Sequence, residues 1–265
     1  MYSRFQLVKK YLKYYFHSSN GKGHGTHSPF VFDFIIHVLD SREKPGILPL
    51  IEQYRKRMLA DDRKIIVNDF GAGSTQGHSG ERKISDIAAS SLKNKKFASL
   101  LYRIAKYYQC KNIIEFGTSL GTTTAYLADA SPEGKILTLE GASRIADLAE
   151  DFFESLSLQN IQLKRGKFDD IIPQLISNPE KIDLLYVDGN HQEEPTYHYF
   201  ESFLNKSHND SIFIFDDIHW SEGMELAWQR IKQHPSVTLS IDLFFIGLIF
   251  FKKEFLVKQD FTIRF

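Results

Sequence analysis

Asn112-Ile113-Ile114-Glu115-Phe116-Gly117-Thr118-Ser119-Leu120-Gly121-Thr122-Thr123-Thr124 is the stretch whose reading decides the fold. A short apolar run ends in an acid, turns through two glycines and enters a segment with apolar periodicity at Leu120, Thr123, Thr124 and Leu127. That pattern predicts strand, tight loop and helix, with glycine supplying unusual dihedrals or close backbone approach. Such a loop aims backbone N–H groups at whatever binds beyond the strand's carboxyl end, a natural place for a carboxylate or phosphate. An ordinary strand-to-helix turn would use the same glycines for geometry alone. The residues downstream separate the two.

Past this stretch, strand and helix periods alternate. Strands are expected at 112–116, 135–140, 160–165, 182–187, 211–215, 237–241 and 246–251. Between them, Ile145, Leu148, Ala149 and Phe152 line one helix, and Ile171, Ile172 and Leu175 a shorter one. Tyr197, Phe200 and Leu204 line a third, and Met224, Ala227, Trp228 and Ile231 a fourth. The run at 182–187 is continuously apolar, as a strand buried on both faces should be. Strict alternation implies an α/β fold with a doubly wound, mostly parallel seven-stranded sheet, its last strand antiparallel. Ligands of such sheets bind outside the carboxyl ends of the strands. Acids crowd those ends. They are Glu115, Glu140, the Asp169-Asp170 pair after Gly166-Lys167-Phe168, Asp188 in Asp188-Gly189-Asn190-His191, and Asp216-Asp217 before Ile218-His219-Trp220. Fold stability does not ask for them there, because charge is costly to desolvate unless it is paired or used.

Upstream, the chain reads differently. Phe5, Val8, Leu12 and Tyr15 share one face of an amino-terminal helix rich in Lys and Tyr. Three glycines at 21, 23 and 25 break it, and His24 and His27 there read first as a surface turn, with a lid or substrate loop as the functional alternative. Ser28 and Pro29 then start a second helix as cap and first residue. A third helix is expected near 50–59, and a fourth, carrying Phe97, Leu100, Leu101, Ile104 and Tyr108, leads into the strand at 112–116. Residues 69–83 read as a mobile loop; Asn68 to Ser74 imitates a second glycine loop but has no amphipathic helix behind it. Lys93 to Lys96 reads as a solvated loop. The expected division is a helical extension over 1–94, covering the acceptor site, and a cofactor-binding domain over 95–265.

Composition sets limits. The 265 residues hold 33 Lys plus Arg against 33 Asp plus Glu, so nothing in the whole chain marks a nucleic-acid or anionic-membrane partner. A single cysteine, Cys110, excludes an internal disulfide framework and fits a reducing compartment. The longest apolar run, 243–251, is interrupted by Gly247 and too short to span a bilayer. A cytoplasmic protein is expected. A homodimer is admitted by the sequence without being specified.

The cofactor class is read from the loop. A dinucleotide site wants G-x-G-x-x-G for its pyrophosphate; here Gly117 and Gly121 stand in G-x-x-x-G, with no basic residue beside them. An acid-rich rim suits a ligand carrying adenosine, an amino acid and a positive sulfonium, which describes S-adenosylmethionine. From about 95 to 251 the chain resembles class I S-adenosylmethionine-dependent methyltransferases with a Rossmann-like fold. It is most similar to O-methyltransferases of the catechol group, in Gly166 to Leu175, Tyr186 to His191 and Phe215-Asp216-Asp217. The resemblance implies that Glu115, Gly117, Thr118, Ser119 and Gly121 surround the methionine part. Glu140 and Gly141 would hold the ribose, with Phe168 and Asp169 flanking adenine and Asp188 also near the cofactor. It further implies that Asp188, Asp216 and Asp217 occupy the Mg²⁺ positions of metal-dependent members. Two departures stand out: Asp217 replaces an Asn, and His191 takes the place of a catalytic Lys.

Methyl transfer is an in-line displacement, so the protein's tasks are alignment and activation of the acceptor oxygen. Three carboxylates suit Mg²⁺, and a bound cation would acidify a hydroxyl. His191, with His219 second, is the candidate base that takes the proton. The expected activity is methylation of a hydroxyl on a small molecule. An N-methyltransferase without metal and a non-catalytic cofactor-binding module remain the alternatives; a nicotinamide oxidoreductase is disfavoured by the missing phosphate loop.

Overall fold

A computed structural model describes residues 1–19, 21, 27–68 and 79–265. His24, residues 69–78 and therefore the imitation glycine loop lie outside the described residues. In chain order the first elements are α1 (Arg4–His17), α2 (Pro29–Phe34), α3 (Leu48–Leu59), β1 (Lys64–Asn68), β2 (Ser79–Lys83), α4 (Ile84–Ser91) and α5 (Lys95–Tyr107). The alternating series comes next: β3 (Asn112–Phe116), α6 (Thr122–Ala130), β4 (Lys135–Glu140), α7 (Ser143–Ser155), β5 (Ile161–Arg165) and α8 (Phe168–Ser177). It continues with β6 (Leu184–Val187), α9 (Glu193–Leu204), β7 (Ile212–Asp216), α10 (Glu222–Gln233), β8 (Leu239–Asp242), β9 (Ile246–Phe250) and β10 (Gln259–Thr262). The chain forms two compact units, Arg42–Ser177 and Met1–Ser41 with Asn178–Phe265. Residues 42–94 thus group with the β3 to α8 segment, and residues 1–41 with the carboxyl-terminal strands.

In the unit spanning Arg42–Ser177, β3, β4 and β5 pair in parallel in that order. The apolar stripe expected on α5 is real: Leu100, Leu101 and Ile104 are fully buried immediately before β3. Tyr54 of α3 stacks on Phe152 of α7, ring centroids 3.7 Å apart, within a core that also takes Ile51, Ile87 and Tyr126. The expectation of a loop through residue 83 is corrected at its end, because β2 pairs antiparallel with β1 from Lys64–Lys83 onward. Ser-Gly-Glu-Arg-Lys has no apolar alternation to reveal it. Exposed ion pairs accompany the ladder instead, Lys64 to Glu81 and Lys83 to Asp62. Asn94 caps α5, its side chain accepting from the Lys96 N–H.

In the other unit the strand order is β10-β8-β9-β7-β6. β6 and β7 are parallel, β9 runs antiparallel to both β7 and β8, and β10 is parallel to β8. The antiparallel strand is therefore β9, and one strand more than the seven expected closes the chain. β6, β7 and β9 are buried at every residue, which explains their largely apolar runs. Gly247 interrupts the last of these runs for a packing reason: a Cβ there would lie 2.7 Å from the Trp228 ring of α10. α2 starts at Pro29 as expected, but Ser28 makes no side-chain cap bond, and the helix widens into a π-type turn over Ile35–Leu39. Ser3 and Gln6 close a capping box on α1. The Tyr11 and Tyr14 rings of that helix pack on Phe244, with centroids 5.1 and 5.3 Å away.

Candidate active site

Residues 112–124 form β3, the loop and the start of α6 as read. Gly117, Ser119 and Gly121 all take left-handed backbone, with φ of 99°, 48° and 77°. The Gly117 and Thr118 N–H groups both donate to the Leu139 carbonyl at 3.0 Å, tying the loop to β4. At Gly121 the tight turn meets a close approach: a Cβ would stand 2.6 Å from the Phe153 ring and 3.2 Å from Ala149 of α7. Only glycine meets both conditions there.

Glu140, at the carboxyl end of β4, organises the neighbouring loops. One carboxylate oxygen accepts from the Ser119 N–H at 2.8 Å and the other from the Ala142 N–H at 2.9 Å. Glu140 is half-buried. A carboxylate offers about four acceptor positions, and these two amides fix the plane in which they are presented. The Glu140 carbonyl accepts from the Gly166 N–H at 2.9 Å, which brings the start of α8 alongside. There the half-buried Phe168 ring sits 5.1 Å from that of Phe116, while Asp169 is exposed in the first turn. Gly141 is half-buried beside Glu140.

Glu115 takes a different place. It is fully buried, and the parallel register sets it opposite Thr138 on β4. Its carboxylate accepts from the Thr138 hydroxyl at 2.7 Å and from the Thr124 hydroxyl of α6. Thr118 and Thr138 share a further bond at 2.6 Å. The locking role of these threonines escapes a reading of the sequence, although Thr124 lies within the 112–124 stretch. A run of buried hydroxyls beside a buried acid is the signal that could have found it.

In the unit formed by residues 1–41 and 178–265, Asp188 follows β6 and accepts from the Tyr186 hydroxyl at 2.8 Å. His191 Nε2 lies 3.7 Å from an Asp188 oxygen, with both side chains partly accessible. Asn190 and His191 have φ of 66° and 35°. Asp216 is buried at the end of β7, and Asp217 has φ 54° with its N–H donating to the Phe245 carbonyl at 2.7 Å. Left-handed residues other than glycine thus follow β3, β6 and β7 at Ser119, Asn190, His191 and Asp217. Strain of this kind gathers at functional sites, and the one-dimensional pattern does not reveal it.

His219 is placed differently from His191. Its Nδ1 lies 2.9 Å from Glu225 and its Nε2 2.9 Å from Asp242. Two carboxylate acceptors require both ring nitrogens to carry protons. Burial opposes that charge, but the bonds and charges of Asp242 and Glu225 outweigh it and raise the His219 pKa. Both ring nitrogens of His219 face carboxylate oxygens. Among the described residues no group of three or more His, Cys, Asp or Glu is arranged to hold a metal ion. Asp188, Asp216 and Asp217 are accordingly not gathered into the Mg²⁺ set that the resemblance implied.

The alternation of strand and helix from β3 to α8 is a Rossmann-like α/β arrangement. Residues 114–218 match the family model described as a methyltransferase domain. A catechol O-methyltransferase of Niastella koreensis is 32% identical over 126 residues, covering 46% of this chain. The match spans 55% of that relative's own length, so the chain covers about half of it. Among solved structures, an O-methyltransferase from Bacillus cereus in complex with SAH aligns at TM-score 0.53 and 22% identity, over 63% of this chain and 88% of that one. The O-methyltransferase TomG from Streptomyces achromogenes, in complex with SAM, aligns at TM-score 0.53 and 19% identity, over 60% and 81%. At these identities the structural likeness is one of fold.

Proposed function

We propose that this protein is an S-adenosylmethionine-dependent methyltransferase acting on a hydroxyl of a small molecule. The observation that carries the proposal is Glu140, whose carboxylate is steadied by the Ser119 and Ala142 amides at the end of β4, where a ribose diol would meet it. Phe168 supplies an aromatic face for adenine, and the Gly117 to Gly121 turn supplies close backbone approach for the amino-acid end. The bound cofactor would supply an electrophilic methyl on sulfur. The chain's own part is to hold the acceptor oxygen in line and take its proton. His191 is assigned that proton. Acceptor recognition is assigned to residues 1–94, which lie outside the 114–218 family match.

Calorimetry with S-adenosylhomocysteine tests the site. Glu140→Ala is expected to weaken binding about 10–100-fold, the range for hydrogen bonds to a charged group. Unchanged affinity with an unchanged fold would remove the site. Because the three aspartates form no ion-holding group, methyl transfer is expected to persist in EDTA. Activity abolished by chelation and restored by Mg²⁺ would reinstate the metal.

A further inference from the structure

The outward face of α1 is apolar. Phe5, Val8, Leu12 and Phe16 are 80%, 56%, 48% and 74% exposed, and their spacing of three and four residues makes one stripe. The helix is not a loose end. Its opposite side is pinned by Tyr11 and Tyr14 on Phe244, and by the Tyr2 hydroxyl and Lys10 ammonium on Glu225. Exposed Arg4 flanks the stripe on one side, and exposed Lys9 and Lys13 on the other. No acid occurs within the helix. The balance of 33 basic and 33 acidic residues over the whole chain hides this local charge.

We infer that α1 is a peripheral docking helix for a bilayer bearing anionic headgroups. A rigidly held apolar stripe of this kind marks an interaction surface. The cationic rim selects among partners. A second copy, pairing α1 with α1 about a two-fold axis, would set Arg4, Lys9 and Lys13 against the same charges, with no acid in the helix to offset them. A phosphate-bearing lipid surface meets them with opposite charge, and the long basic side chains reach headgroups while their stems cover acyl chain. No helix among the described residues is long and apolar enough to cross a membrane. The 14 residues of α1 lie along the surface instead. This docking uses none of the residues assigned to the cofactor or to the proton transfer.

Co-sedimentation of the full chain with large vesicles tests it. Binding is expected to phosphatidylcholine vesicles containing phosphatidylglycerol, and much less to phosphatidylcholine alone. The pair Phe5→Ser with Leu12→Ser should lower partitioning at least ~10-fold, from lost apolar burial. Lys9→Gln with Lys13→Gln should lower it roughly fivefold per charge, on the anionic vesicles only. All four side chains are exposed, so the thermal midpoint should hold in each variant. Wild-type protein remaining in the supernatant with anionic vesicles would overturn the inference, as would undiminished binding by the Phe5/Leu12 variant. A concentration-dependent dimer dissolved by the same substitutions, without vesicle binding, would overturn it too and assign the face to a second copy.

Discussion

His191→Ala is expected to lower kcat by ~10²–10⁴, the usual contribution of a positioned general base, while S-adenosylhomocysteine affinity stays unchanged. The assignment rests on a contrast between two histidines. His191 is partly accessible, with Nε2 3.7 Å from Asp188. At that distance the two are not hydrogen-bonded. His219 has both nitrogens bonded to carboxylates. The left-handed backbone at Asn190 and His191 is held in place by local bonds, among them Asn190 Nδ2 donating to the Tyr199 hydroxyl at 3.1 Å. Such a turn points to a placed side chain. The measurement needs an acceptor first, found by screening hydroxylated compounds for conversion of S-adenosylmethionine to S-adenosylhomocysteine. His191→Ala and wild type are then compared in kcat, in acceptor KM and in cofactor affinity. A fall confined to kcat fits a base. An unchanged kcat removes His191 from the chemistry, and a fall in cofactor affinity alone makes it a structural residue.

The parts of this molecule legible in the sequence are those where local chemistry and burial agree. Glu115, Gly117 and Gly121 announce strand, turn and helix because the glycine backbone and the apolar period point the same way. The runs at β6, β7 and β9 are legible because burial on both faces leaves few polar positions to confuse the period. β10 is not: Gln259 to Thr262 is half-exposed at the sheet edge and carries little apolar signal. α1 shows how a correct helix can mislead. Its Phe5, Val8, Leu12 and Tyr15 face is visible, but periodicity cannot say whether such a face turns to the core; the packed side is the one with Tyr14. Glu115 shows the same limit for sites. Its position at a strand end is legible, but its register opposite Thr138 and the buried bond that follows are not.

Asp242→Ala is expected to destabilise the fold by about 3–5 kcal/mol, the range for removing one partner of a buried ion pair. Asp242 is buried at the end of β8. It accepts from the Trp228 indole at 3.3 Å and from the Phe244 N–H at 2.8 Å, and lies 2.9 Å from His219 Nε2. Its loss leaves the imidazolium with Glu225 alone and the indole without this acceptor. The pH profile separates this network from simple packing. Burial works against the His219 charge, but the two carboxylates prevail and its folded pKa is raised. Its stabilisation is therefore complete below the unfolded value of about 6.5 and fades as pH rises through the folded pKa. Glu225 is the mirror case. Burial would raise its pKa, but bonds to Lys10, His219 and Tyr2 lower it. Its contribution is present above the unfolded carboxylate value and fades as pH falls through the lowered one. Wild-type stability should accordingly decline on both sides of a plateau, whereas Asp242→Ala should lose most of the decline on the alkaline side. Urea midpoints across a pH series read both effects. If the variant kept the wild-type alkaline slope, His219 would owe its charge to Glu225 alone, and the buried pair would not be the anchor of the β8 end.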